Sequence, residues 1–221
     1  MNETGWRITD NVKEHCERTY AVMKGRLRAR REEPELDSGF FFCATIYNDI
    51  KQEKRDMMAK CKETLAITNH RVITEDINEH ETVYGGRILE ILDGTASTSA
   101  ARLARTQTVT AAIDDVNFIA PFALHDSFCI ETYVTGVGTH SIEVFAKVVG
   151  EHLLTGERFL GMTAFFTFVI LDKNVEPEPI IPESAEEKML CKGYEQRRKR
   201  KKAALKERLS FNRQLSIDLP Y

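Results

Sequence analysis

The 221-residue sequence has few cysteines and lacks the patterns that would give them a structural role. No two of them form a Cys-x-x-Cys pair, and their number is odd. This scatter excludes a disulfide framework and a zinc site, and it indicates a reducing compartment. The five cysteines are Cys16, Cys43, Cys61, Cys129 and Cys191.

The chain also lacks a long apolar run and a strong charge of either sign. No segment approaches the ~20 apolar residues that span a bilayer, so no membrane contact is predicted. The N-terminus carries Glu3, Asp10, Glu14 and Glu17 without an apolar core, which argues against a signal or transit peptide. The net charge of −3 gives no global basicity, and the basic run 197–202 is typical of a solvated helix end. We therefore expect a cytoplasmic protein that binds no nucleic acid.

Composition divides the chain into three parts. Residues 1–60 are charge-dense and contain no catalytic motif, which predicts a helical or partly ordered extension. Residues 61–176 alternate apolar and polar segments and form the predicted domain. Residues 177–221 begin with a Pro-containing linker and continue as a charged helix, for which Ser184 and Glu187 are a capping-box start.

Hydrophobic periodicity within 61–176 predicts an α+β fold. Residues 84–105 place apolar and small side chains on one stripe of a helix. A strand is predicted at 64–73, and four more follow at 108–120, 128–137, 140–151 and 157–171, joined by short Gly-containing links typical of antiparallel hairpins. The long helix must bury its stripe against this sheet.

The most informative stretch runs from Asn78 through Gly85 and Gly86 to Asp93. Two glycines open the helix, where backbone N–H groups without partners suit a developing oxyanion. Asp93 borders the apolar stripe, where a carboxylate can act as a base or nucleophile. These parts suit hydrolysis of an acyl carbonyl, although a helix cap and a surface Asp would have the same sequence.

The motif Asn78-x6-Gly85-Gly86-x6-Asp93 resembles that of hotdog-fold acyl-CoA thioesterases. Further matches follow in order at 109–118, 138–144, 155–158 and 164–168, so the resemblance covers about residues 64–200. One position departs from the family, which usually has Gly where this chain has Glu81.

The resemblance implies one long central helix wrapped by an antiparallel sheet of about five strands. It also implies a homodimer, often assembled as a trimer of dimers, and hydrolysis of acyl-CoA to free acid and CoA. Asp93 would be the general base or nucleophile, Asn78 would position water or the carbonyl, and Gly86 would donate its N–H to the thioester oxygen. No metal or redox cofactor is implied, because CoA arrives as part of the substrate.

Geometry favours a site shared between two chains. Gly86 and Asp93 are seven residues apart, roughly 10 Å along a helix, so one small carbonyl would not contact both in a single chain. Two chains related by a two-fold axis could supply the two groups from opposite sides.

Further substrate-binding residues are predicted around the sheet. The hydroxyls of Thr139 and Ser141 could contact pantetheine, and Arg158 could contact a phosphate of CoA. Ordinary strand hydroxyls and a hairpin Arg are the alternative. The full predicted substrate-binding set is Gly85, Gly86, Gly138, Thr139, Ser141 and Arg158.

Two other functions fit the same resemblance. A hotdog hydratase would use an Asp–His pair. Residues 84–105 contain no His, which argues against this alternative. A non-catalytic acyl-CoA-binding regulator would bind the thioester without releasing a thiol.

Overall fold

The computed structural model describes residues 58–218. The predicted N-terminal extension, 1–60, lies outside these residues except for its last three. In chain order the elements are β1 (Ala59–Lys60), α1 (Cys61–Thr64), β2 (Ala66–Arg71), a 3-10 turn (Thr74–Asp76), α2 (Gly85–Ala104), β3 (Thr108–Phe118), β4 (Asp126–Val137), β5 (Ser141–His152), β6 (Glu157–Ile170), β7 (Ile180–Ile181) and α3 (Ala185–Asn212).

Five strands form one antiparallel sheet in the order β2-β4-β5-β6-β3. The predicted helix and all five predicted strands are confirmed, with boundaries that shift by a few residues. A separate parallel pair joins β1 to β7, so the residues just before α1 pair with the segment that leads into α3. The described part of the chain is therefore an α+β fold, as the periodicity indicated.

Helix α2 packs across the inner face of this sheet. Its stripe of Ile88, Leu92, Ala96 and Ala100 is buried in one core with the inward side chains of β4, β5 and β6. Small residues on the stripe let the helix approach closely, and the buried Ser99 hydroxyl hydrogen-bonds Thr132 on β4. The predicted buried stripe is confirmed.

Strand β3 is an edge strand, paired only with β6 among the described residues. Its register with β6 shifts between Asp114 and Asn117, the point where the apolar alternation of the sequence changes phase and predicts a bulge, and Asp115 has a φ of 51°. Apolar side chains remain exposed along this edge, at Val109, Ile113, Val116 and Phe118. An unpaired edge with exposed apolar side chains is a surface suited to pairing with a second chain.

Helix α3 covers the outer face of the sheet. Its N-terminus is capped by Ser184, as predicted, and Leu190 packs in a small second core with Cys61, Tyr133 and Phe145. The thiols of Cys61 and Cys191 lie 3.7 Å apart without a disulfide. Residues 58–218 thus contain two apolar cores, one on each side of the sheet.

The basic run 197–202 makes ion pairs with carboxylates on the sheet. Arg197 pairs with the buried Glu143 at 2.7 Å, and its guanidinium lies 4.1 Å from the centre of the Phe165 ring. Lys201 contacts both Glu143 and Asp114 at 3.2–3.3 Å. These side chains hold α3 on the sheet.

Replacing Arg197 should therefore destabilise the protein strongly. Arg197→Ala would leave Glu143 buried with fewer partners, and breaking a buried pair in this way costs about 3–5 kcal/mol. Arg158→Ala is the matched control, because it removes an arginine from an exposed pair with Glu151 that is worth about 0–1 kcal/mol. Urea unfolding measures both. Equal losses in the two variants would contradict the proposed clamping role of Arg197.

Candidate active site

Asn78 lies in a short hairpin loop before α2. The loop closes through a bridge between Ile77 and Val83 and a hydrogen bond from Asn78 N to Thr82 O at 2.8 Å. The Asn78 side-chain oxygen accepts hydrogen bonds from the backbone N–H groups of His80, at 2.8 Å, and Thr82, at 3.2 Å. With its oxygen held inside the loop, the amide directs its NH2 group, a donor, away from it.

Glu81 occupies a left-handed position in this loop, with a φ of 60°. This is the position where the family usually has Gly, and the geometry explains why, because only Gly adopts such angles without steric cost. The loop therefore keeps the family's turn while a side chain occupies it.

We expect Glu81→Gly to stabilise the protein. Relief of the left-handed strain should raise the free energy of unfolding by about 1 kcal/mol, offset in part by the backbone entropy of Gly. Glu79→Gly is the matched control, since Glu79 is exposed in the same loop and its φ is not positive. Differential scanning calorimetry should show a higher Tm for the first variant only. A Tm unchanged or lowered by Glu81→Gly would contradict the strain argument.

The start of α2 presents two backbone amides without partners. Among residues 58–218 neither the N–H of Gly85 nor that of Gly86 donates a hydrogen bond, as expected for the first turn of a helix. A Cβ at Gly86 would lie 2.9 Å from the Tyr84 ring, and one at Gly85 would lie 3.4 Å from the Phe118 ring. A side chain at Gly86 would thus crowd the Tyr84 ring, whereas a Cβ at Gly85 would only reach ordinary contact with the Phe118 ring.

A cavity of about 360 Å³ opens beside these amides. Its walls are mainly apolar and come from Val83, Ile88 and residues 118–122. A larger cavity, about 550 Å³, lies at the other end of α2 and contains no residue of the motif. We place the candidate site at the smaller cavity because the free amides and the Asn78 loop adjoin it.

Asp93 lies two turns further along α2 and is half-buried. Its Oδ1 accepts a hydrogen bond of 2.7 Å from the hydroxyl of Thr110 on β3. Thr110 was not predicted from the sequence, because it is one of many strand threonines and is seventeen residues from Asp93 along the chain. Only the packing of α2 on β3 brings the two side chains together.

Strand β3 runs alongside α2 between the two groups. Phe118, at one end of the strand, lies beside Gly85 in the wall of the smaller cavity, and Thr110, near the other end, hydrogen-bonds Asp93. The two halves of the candidate site therefore lie at different points along one free sheet edge.

The remaining predicted substrate-binding residues lie in two separate places. Gly138, Thr139 and Ser141 form the β4–β5 turn, closed by a hydrogen bond of 2.7 Å from Gly138 N to Ser141 O. Arg158 lies near the β5–β6 turn and donates to Glu151 at 2.9 Å. Ser141 pairs with Val169 on β6, eleven residues from Arg158 and so about 35 Å along the strand. One chain does not bring these residues into a single site.

No cluster of His, Cys, Asp or Glu between residues 58 and 218 has the arrangement of a metal site. No helix in this part of the chain is long and apolar enough to cross a membrane.

Comparison with known proteins assigns the family. Residues 80–156 match the model of the thioesterase superfamily. YkhA of Bacillus subtilis, an uncharacterized acyl-CoA thioester hydrolase, is 44% identical over 164 residues, which are 73% of this chain and 95% of YkhA. This chain belongs to the acyl-CoA thioester hydrolase family. Membership of this family confirms the expected hotdog fold.

Two solved structures of this family resemble the structure of this protein. An acyl-CoA hydrolase from Staphylococcus aureus, in complex with butyryl coenzyme A, coenzyme A and coenzyme A disulfide, is 28% identical with a TM-score of 0.67, over 71% of this chain and 97% of that one. An apo-hexameric acyl-CoA thioesterase is 33% identical with a TM-score of 0.62, over 67% of this chain and 99% of that one.

Proposed function

We propose that this protein hydrolyses acyl-CoA thioesters to free acid and CoA, in sites shared by two copies of the chain. The carrying observation is the arrangement along the β3 edge, where the Asp93–Thr110 pair and the free amides at Gly85 and Gly86 lie at separate points. CoA enters as part of the substrate, and the chemistry requires no metal or redox cofactor.

The roles of the groups follow from their chemistry. In the attack on the thioester carbonyl, negative charge develops on its oxygen, and donors already fixed at that position stabilise it. The Gly86 N–H and the Asn78 side-chain NH2 are such donors. Asp93 either takes a proton from a water that attacks the carbonyl carbon, or attacks that carbon itself and forms an anhydride that water then hydrolyses. In both routes the C–S bond breaks and CoA leaves as its thiolate. The Thr110 hydroxyl orients the carboxylate of Asp93.

Pairing of two β3 edges explains how these groups meet. A two-fold axis near Asp114 places Thr110 of one chain opposite the Phe118 end of the other strand, because antiparallel partners run in opposite directions. Asp93, which lies beside Thr110, then approaches Gly86 of the partner subunit. The pairing would also bury the apolar side chains exposed along β3.

Variants of the Staphylococcus aureus enzyme support this assignment. Its structures include alanine variants of an Asn, an Asp and a Thr. The intervals between those three positions equal the intervals that separate Asn78, Asp93 and Thr110 here. The same three residue types therefore recur with the same spacing in a relative that binds CoA.

We further propose a trimer of dimers, by analogy with the hexameric relative.

A reducing compartment, the cytoplasm, suits the free thiols of Cys61 and Cys191, which lie 3.7 Å apart.

Release of free thiol from acyl-CoA tests the proposal. We expect turnover of a series of acyl-CoA substrates, detected with a thiol-reactive dye, and a preferred chain length within the series. Tight acyl-CoA binding without thiol release would overturn the hydrolase proposal and favour the regulator. Addition of water to an enoyl-CoA without thiol release would favour the hydratase.

A further inference from the structure

We propose that Asp76 is a positioning residue for the hydrolysis, holding the Asn78 loop and the first turn of α2 in one fixed arrangement. This inference rests on the proposed function. Asp76 was not singled out by its sequence, because an Asp two residues before an Asn is common in turns.

The Asp76 side chain is buried, with 2% of it exposed, and its carboxylate collects three donors. Oδ2 accepts from His70 Nε2 at 2.7 Å and from Ile73 N at 3.0 Å. Oδ1 accepts from Arg87 Nε at 3.1 Å. Burial alone would raise the pKa of Asp76, but the hydrogen bonds from these groups outweigh it and lower the pKa below its usual value. The carboxylate is therefore ionised at neutral pH.

The three donors come from three different segments. His70 belongs to β2, Ile73 precedes the 3-10 turn, and Arg87 lies in the first turn of α2. A carboxylate accepts all three, whereas a side-chain amide would present its own NH2 group to one of them. The chemistry of the donor set thus requires Asp at this position.

Asp76 also forms the base of the Asn78 loop. Its backbone carbonyl accepts a hydrogen bond of 2.8 Å from Tyr84 N, just outside the bridge between Ile77 and Val83. The loop that carries Asn78 is therefore closed at its base by the pair of Asp76 and Tyr84.

The link through Arg87 extends this control to the helix start. Arg87 directly follows Gly86, so holding its side chain fixes the direction of the first turn and of the Gly86 N–H. Asp76 is too deeply buried to contact a substrate. It acts on the two proposed oxyanion donors only through the elements that carry them, and a displacement of about 1 Å in such groups costs about 100-fold in rate.

Arg87 offers a matched pair of variants. Its guanidinium bonds Asp76 on one side and the exposed Glu90, at 2.8 Å, on the other. Arg87→Gln breaks the link to Asp76 at a partly exposed position, so the fold should survive. Glu90→Gln removes only the outer partner. Asp76→Asn keeps the shape of the buried side chain and places an NH2 group against one donor.

The test combines steady-state kinetics with hydrogen exchange of residues 77–86, using the full chain. We expect Asp76→Asn and Arg87→Gln to lower kcat about 10- to 100-fold, with KM changed less than threefold and faster exchange across 77–86. Glu90→Gln should match the wild type in all three measurements.

A wild-type kcat in the folded Asp76→Asn and Arg87→Gln variants would overturn the inference, even if their Tm falls. The ion pair between Asp76 and Arg87 would then contribute to stability alone. An equal loss of kcat in Glu90→Gln would also overturn it. If the wild-type protein releases no thiol, the proposed function fails by itself. Exchange across 77–86 then decides the positioning role, since faster exchange in the two variants supports it and unchanged exchange overturns it.

Discussion

Asp93→Asn is expected to abolish most of the hydrolysis while leaving the fold and the dimer intact. The variant keeps the shape of the side chain and an oxygen that can accept the 2.7 Å hydrogen bond from Thr110. It loses the basicity and the charge, and removal of a general base costs about 100- to 10,000-fold in rate. The measurement is kcat from thiol release, with circular dichroism and sedimentation to establish fold and assembly.

Two further variants sharpen this test. Thr110→Val should reduce kcat less than Asp93→Asn does, because it removes the orienting hydroxyl and keeps the carboxylate. Glu90→Gln removes a carboxylate from the exposed side of the same helix and should be neutral. A folded Asp93→Asn protein with near wild-type turnover would show that Asp93 is neither base nor nucleophile.

Mixing two inactive variants should restore activity if the site is shared. In a heterodimer of Asn78→Ala and Asp93→Asn chains, one site combines both intact side chains and the other combines both substitutions. Random pairing makes half of the dimers mixed, so about a quarter of all sites should be active. The variants are unfolded or dissociated together, reassembled, and assayed for thiol release.

Each variant reassembled alone is the control and should remain inactive. A mixture that exchanges subunits, as shown by differently labelled chains, and still has no activity would contradict the shared site. The carbonyl would then have to contact Asn78 and Asp93 of one chain, despite the roughly 10 Å between Gly86 and Asp93 along α2.

The secondary structure was predictable because its signals are local. The stripe from Ile88 to Ala100 repeats with the period of a helix, and the strands alternate with the period of a sheet. The bulge at 114–115 was predictable too, since the alternation changes phase there. The motif of Asn78, Gly86 and Asp93 lies within one loop and one helix, so its spacing was also visible.

Contacts between distant elements were not predictable in this way. Thr110 meets Asp93 because β3 lies beside α2 at the sheet edge. The register of β3 against β6 shifts twice, between Thr110 and Ala112 and between Asp114 and Asn117, and each shift changes which side chains of β3 face the helix. Nothing in the local pattern ranks Thr110 above the other strand threonines.

By itself, the sequence determined the order and type of the elements and the face of α2 that is buried. It also determined the motif of Asn78, Gly86 and Asp93 around the start of α2. The tertiary structure alone decided which side chains from other elements contact these residues. It placed α3 on the outer face through the buried pair of Arg197 and Glu143, and it gathered three donors on Asp76. The physical reason is that periodicity reports each element's own geometry, whereas ion pairs and hydrogen bonds between elements depend on strand order, register and bulges.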